Sequence, residues 1–316
     1  MSAWFTVREF QTFFAPARRL DRVLTRPELY GVVGGGDMPR RSPRSAPPAV
    51  SFRRVIDLSD VRIRAPSRGN RKLEALLAAA NSDEQLKAWW HVAQVNAERL
   101  RMSDHSWVHI QIVVNIALRV CRLLVRRGVE PALVRDYGMD PRDSEVVITA
   151  AALLHCVGMS IHRTDHEAYS LFMAADKLDS LLAEIYDEPE RSVVGAEAMH
   201  AIIAHRRRGD PLTLEAGIVR VSDALDMANG RSRVAFEAGR PNIHSLSAAA
   251  IDEVRIDPGR DKAVRIEIDM NNSSGIFQID ELLATKLRGS GLEDHVEVVA
   301  RIEAEHEKRL VPLFRL

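Results

Sequence analysis

Residues 148–170 read ITAAALLHCVGMSIHRTDHEAYS, an apolar helix that runs into a polar cluster of three histidines and one cysteine. Ser144 to Leu154 reads as an apolar helix. Such a helix needs other helices around it, and both flanks supply them. Upstream, Val108 to Arg127 (VHIQIVVNIALRVCRLLVRR) is apolar on most faces and stops at Gly128, so Cys121 within it is expected to be core. Before that, RKLEALLAAANSDEQLKAWWHVAQVNAERL holds two amphipathic helices, the second expected to be capped by Asn81 or Ser82. Downstream, Ala168 to Ile185, Ser192 to Ala204 and Leu212 to Ala228 repeat the helical period.

The pattern changes at both ends of this run. Order is expected to begin near Phe52, with VIDLSDVRI as a short strand or an extended lead-in. After Gly239, Val254 to Ile256 and Val264 to Ile268 alternate around the turn PGRD, a hairpin signal. QIDELLATKLRGSG then reads as a short helix with a glycine stop, and HVEVVARIEAE alternates again. The fold class is therefore mainly α, a helical bundle over residues 52–240 followed by a small α+β appendage of ββαβ order over 241–316.

The chain has 316 residues, 46% of them hydrophobic, and a formal charge of zero that hides an asymmetry. Residues 1–54 carry ten arginines against four acids, and GVVGGGDMPRRSPRSAPP at 31–48 has too little apolar surface to offset the entropy of ordering. Residues 1–51 are expected to be a disordered basic extension, a solvated tail rather than a nucleic-acid surface. Two cysteines build no disulfide framework, and no continuous apolar run of roughly 18 to 20 residues is apparent, nor a signal peptide's apolar stretch. A cytoplasmic location with reduced thiols and no membrane partner is expected. A phosphate-binding GxxxxGK[ST] loop, a dinucleotide glycine fingerprint and zinc-finger cysteine spacing are all missing from the sequence. Cysteine–histidine nucleophilic catalysis fits poorly too, because Cys156 follows an apolar helix rather than sitting on an exposed, base-paired site.

Of eleven histidines, seven lie between residues 105 and 205: His105, His109, His155, His162, His166, His200 and His205. One histidine on an apolar helix is usually a hydrogen-bonded core residue. Several on successive helices point instead to a metal site built from inward-facing side chains, with imidazole suiting Zn, Fe and Mn.

The order of these segments resembles the HD superfamily of metal-dependent phosphohydrolases. In that family one histidine opens a helix, a His-Asp pair ends another, and a later aspartate completes the first metal site. Here His109 opens HIQIVVNIALRV, His155 ends AALLH and Asp223 lies in GIVRVSDALDM. The resemblance covers about residues 80–235, and with its tail the chain looks like one prokaryotic branch without an assigned substrate. It implies an HD-type bundle and one or two divalent ions, Mn, Fe or Zn, with His155 and Asp223 at the catalytic centre. Members with two metals add histidines before the last aspartate, which makes His166, His200 and His205 the further expected ligands. The implied substrate is a nucleotide or another small phosphate ester.

Cys156 stands where the family's motif has aspartate. Three readings remain open: a thiolate ligand to a softer ion such as Zn or Fe, weak catalysis by the remaining ligands, or an inactive protein that binds a nucleotide or serves as a scaffold. Asp226, one turn beyond Asp223, is expected to face solvent, the alternative being to orient a ligand. Arg206, in RRRGDP after His205, and Arg231 and Arg233, in ANGRSR, are candidate phosphate contacts, although arginines after a helix also favour its dipole. His109 is preferred to His105 as first ligand because the apolar helix follows it directly; His162 is expected only to hydrogen-bond nearby. The half-buried strands of the appendage must pack on the bundle or on a second subunit, and a homodimer is expected.

Overall fold

The computed structural model describes residues 56–227 and 247–302. The basic segment 1–51, Arg231 and Arg233 lie outside the described residues. Among the described residues 56–227 there are eight α-helices: α1 (Arg71–Ser82), α2 (Glu84–Leu100), α3 (Trp107–Arg126), α4 (Ala132–Tyr137), α5 (Pro141–Leu154), α6 (His166–Leu182), α7 (Glu190–Ala204) and α8 (Leu214–Leu225). A short 3-10 turn, Val157–Ser160, joins α5 to α6.

Helix α5 is the bundle's centre, because every residue from Val146 to Leu154 is buried. Helices α3, α7 and α8 pack around it. Each fully buried Leu, Ile or Val contributes about 1.5–3 kcal/mol, so this axis is a large part of the folding drive. It begins earlier than the apolar pattern indicates, since Pro141 occupies its first turn and Asp140 and Asp143 form a reciprocal capping box.

One local expectation is corrected, and one helix is added. The cap of α2 is Asp83, whose carboxylate accepts from Leu86 N, not Asn81 or Ser82. Asn81 instead bonds the Ile63 backbone on both sides, at 2.7 and 2.9 Å, and so pins an extended lead-in whose Val61 and Ile63 are buried. Helix α4 has no apolar run long enough to announce it. Its first amides, Ala132 N and Leu133 N, are capped from a distance by the buried Glu215 of α8 at 3.2 and 3.1 Å.

The structure also qualifies the membrane reading. Trp107–Arg126 and Pro141–Ser160 are each 20 residues long and apolar enough to cross a bilayer by length and composition. Both are mostly buried inside the bundle, 72% and 94% of the respective windows, so core packing accounts for their apolar character.

The appendage has the expected ββαβ order. β1 (Ile251–Pro258) pairs antiparallel with β2 (Val264–Met270), with Val254 opposite Ile268. A crossover helix, π-type over Gln278–Ala284 and α over Thr285–Leu287, then returns the chain to β3 (Val296–Ile302), parallel to β2. Val254, Ile256, Val264, Ile266 and Ile268 join the core that the helices form. On α3, Arg119 Nε donates to Ile256 O at 2.6 Å. On α8, the backbone comes so near that a Cβ on Gly217 would lie 2.0 Å from Ser290 O.

Candidate metal centre

The ends of helices converge beside the middle of the bundle. His109 stands in the first turn of α3, behind a Ser106 cap that accepts from Val108 N. His155 and His205 are the residues that cap the C-terminal ends of α5 and α7, and His166 opens α6. Asp223 lies in the last turn of α8 and Asp226 at its end. The turn that carries Cys156 is tightly held: Ser170 Oγ donates to His155 O at 2.8 Å and accepts from Gly158 N at 2.9 Å. Only glycine fits at 158, since a Cβ there would lie 2.0 Å from His166 O.

Tautomers follow from the partners. His155 Nδ1 lies 2.8 Å from the Ala152 carbonyl, and His205 Nδ1 is bonded to the Ile202 carbonyl. His109 Nδ1 meets the Asp226 carboxylate at 2.6 Å. Each of these oxygens can only accept, so each ring donates through Nδ1 and turns Nε2 inward. The Nε2 atoms of His109 and His155 face each other at 3.2 Å, and Asp223 Oδ1 lies 3.4 and 3.6 Å from them. Two ring lone pairs and a carboxylate aimed at one dry point repel unless a cation or proton lies among them. That is the chemistry of a metal-binding donor set.

Cys156 is 3% exposed, and its Sγ belongs to two groups. Sγ with His109 and His155 forms one set of ligand atoms within 4.8 Å of one another; Sγ with His166 and His205 forms a second. The donor set therefore fits one or two divalent ions, with the thiol common to both sites. His166 Nδ1 is 3.0 Å from Glu167 Oε2 and 3.2 Å from the Arg163 carbonyl, with the Arg163 guanidinium also near at 2.9 Å.

Protonation in the cluster reflects this crowding. Burial by itself raises the Cys156 thiol, but His155 beside it and hydrogen bonds from His109, His155 and His166 bring it well below an ordinary thiol. Burial opposes charge on His166, yet bonds to Cys156 and Glu167 raise it to about 9. Glu167 is correspondingly low, at about 2, because its bond to His166 outweighs burial. Burial holds His205 below the usual imidazole value. Cys121 shows the contrast: burial, with Glu145 and Glu215 nearby, pushes it up to about 12.

Among the sequence candidates, the structure gathers His109, His155, Cys156, His166, His205 and Asp223. His200 is not among them: it sits on the outer side of α7, where its Nε2 accepts from Leu212 N at 2.9 Å. His162 is exposed and accepts from Thr164 N. His105 is buried against the His109 ring, with Nδ1 on the Ser103 carbonyl. Arg206 lines a surface cleft of about 650 Å³ with Asp165, Glu167, Arg207, Arg208 and Thr285. The solvent-facing expectation for Asp226 is overturned: it is 3% exposed and orients His109. Its spacing of three from Asp223, one helical face, was the available signal. Two further residues had no such signal, Glu167 behind His166 and Lys286, whose Nζ is bonded to Asp223 Oδ2.

A helical bundle with a buried histidine, thiol and carboxylate centre defines a class of metalloproteins. The HD domain profile matches residues 108–228, the span from the first turn of α3 to just past α8. An uncharacterised protein of the archaeon Methanocaldococcus jannaschii is 39% identical over 207 residues, which is 66% of this chain and 80% of that protein. No solved structure matches. The chain belongs to the HD domain family, within the superfamily of metal-dependent phosphohydrolases.

Proposed function

We propose that the chain is a phosphohydrolase acting on a nucleotide or another small phosphate ester, with two divalent ions sharing the Cys156 thiolate. The observation that carries this reading is the position of Cys156 Sγ in both ligand groups. His109, His155 and Asp223 complete one site, and His166 and His205 the other. Thiolate and imidazole donors favour Zn or Fe over Mn. Such ions supply Lewis acidity toward phosphoryl oxygens and a water acidic enough to attack near neutral pH.

The chain's own residues do the rest. Asp226 keeps the proton of His109 on Nδ1, and the carbonyls of Ala152 and Ile202 do the same for His155 and His205. Burial of all three rings excludes bulk water and strengthens each electrostatic contact. Arg206, Arg207 and Arg208 line one cleft with Glu167, the partner of His166, and their guanidinium groups suit bidentate contact with phosphate. The substrate reaches this centre in the cytoplasm, where Cys156 stays reduced.

The test is metal analysis of the purified chain together with a phosphate-release screen over nucleotides and simple esters. Bound metal with turnover supports the proposal. Full metal occupancy without turnover on any ester would leave the inactive binding module as the reading.

A further inference from the structure

Arg220 lies three residues before Asp223 on α8 and is 3% exposed. All its hydrogen bonds go to backbone carbonyls. Nε donates to Lys286 O at 2.9 Å, Nη1 to Arg206 O at 2.8 Å and Ala204 O at 3.3 Å, and Nη2 to Arg207 O at 2.9 Å and Thr285 O at 3.3 Å. One buried guanidinium thus ties together the end of the His205 helix, the arginine run after it and the end of the crossover helix. With its carbonyl fixed in this way, Lys286 sends its side chain back to Asp223 Oδ2, where it is 15% exposed. The Asp223 carboxylate is divided: Oδ1 faces His109 and His155, and Oδ2 carries the ammonium.

We propose that Lys286, brought in by the C-terminal appendage, contacts a non-bridging oxygen of the substrate's phosphoryl group, and that Arg220 is the positioning residue that holds it there. The assignment rests on the phosphohydrolase reading above. A lysine ammonium is a point charge on a flexible stem, so it can stay near Asp223 and still reach an anion beside it. Thr285, its chain neighbour, lines the same cleft as Arg206, Arg207, Arg208 and Glu167, and Glu167 pairs with His166, so the residue after a cleft-lining position carries the ammonium that meets Asp223. A cation bound at Asp223 withdraws charge from the carboxylate and loosens its hold on the lysine; an arriving phosphate supplies a replacement partner. If Lys286 served only to neutralise Asp223, its removal would leave phosphate binding unchanged.

The experiment loads the full-length chain with Zn2+ and titrates it with inorganic phosphate. Lys286→Met is expected to weaken phosphate binding roughly tenfold to a hundredfold, the range for losing a charge-assisted hydrogen bond, while Lys286→Arg restores most of it. Zn2+ affinity of Lys286→Met should hold or rise, because a competitor for Asp223 is gone. Arg220→Lys, which cannot serve five carbonyls, should weaken phosphate binding at unchanged Zn2+ stoichiometry and lower kcat more than it raises KM. Equal phosphate affinity in Lys286→Met and the unaltered chain at full Zn2+ loading overturns the proposal, as does an unaltered chain that binds no phosphate. Lys286-dependent phosphate binding in a chain that hydrolyses no ester supports the contact and removes only the hydrolytic reading. Should the substitutions fail to fold, protection of Lys286 from reductive methylation by phosphate in the unaltered chain reads the same contact, and lack of protection counts against it.

Discussion

Replacing Cys156 by aspartate tests the centre most directly, because it restores the family's own residue at the atom that both ligand groups share. The new carboxylate would be buried, as Cys156 is 3% exposed. An unpaired charge there would cost about 3–5 kcal/mol. Four imidazoles surround the position, however, and a carboxylate can replace the Cys156 thiolate as the acceptor that favours the charged form of His166, so it gains a cationic partner. The metal-free variant should therefore lose only about 1–3 kcal/mol, and at about 2–4 °C per kcal/mol its Tm falls modestly. Mn2+ should reverse this. A hard oxygen ligand in place of sulfur is expected to raise Mn2+ affinity about 10- to 100-fold, and Mn2+ at a hundred times its Kd adds about 2.7 kcal/mol. The assay is thermal unfolding with and without Mn2+ and Zn2+, followed by phosphate release. Activity should increase with Mn2+, and a further His155→Ala or Asp223→Ala change should remove the gain. If Mn2+ raises the Tm of Cys156→Asp no more than that of the unaltered chain, the shared-ligand geometry is wrong.

Other consequences are as specific. Asp226→Asn keeps the shape but no longer fixes the His109 tautomer, so Zn2+ affinity should drop about 10- to 100-fold in a competition titration, with less than about 1.5 kcal/mol lost from the metal-free fold. Near pH 7 the metal-free chain should show one thiolate by ultraviolet absorbance, lost in Cys156→Ser and kept in Cys121→Ser, since the first thiol is held low and the second is pushed up to about 12. Metal must displace the His166 proton, which is retained to about 9, so affinity should rise with pH from 7 toward 9; a flat profile would remove His166 from the ligand set. Gly217→Ala forces a methyl group onto Ser290 O and should cost about 1–3 kcal/mol, read by denaturant unfolding, by prying the appendage from α8. Light scattering should give a dimer, with a monomer at all concentrations against it.

The six-residue α4 was not legible, having no apolar run of its own, but the seven longer helices among the described residues 56–227 were, in order, because each writes its own period into contiguous residues. The hairpin was legible for the same reason, through alternation around PGRD. His109, His155 and Asp223 could be paired with a chemistry from their order along the chain, and Cys156 stood out against that order. Even the distinction between His200 and His205 was within reach: at about 100° per residue, five positions turn a side chain to a different face, so both could not point inward. The distal cap on α4 was not legible, because Glu215 meets those amides only after α8 has packed. The partners of Arg220 were hidden more deeply, since a backbone carbonyl carries no residue identity. Lys286 reaches Asp223 across 63 positions of sequence, and no local period marks such a contact. Local periodicity settles which segments are helices and which side chains share a face; the join between bundle and appendage, and the charge it brings to Asp223, exist only where the packed backbone brings distant residues together.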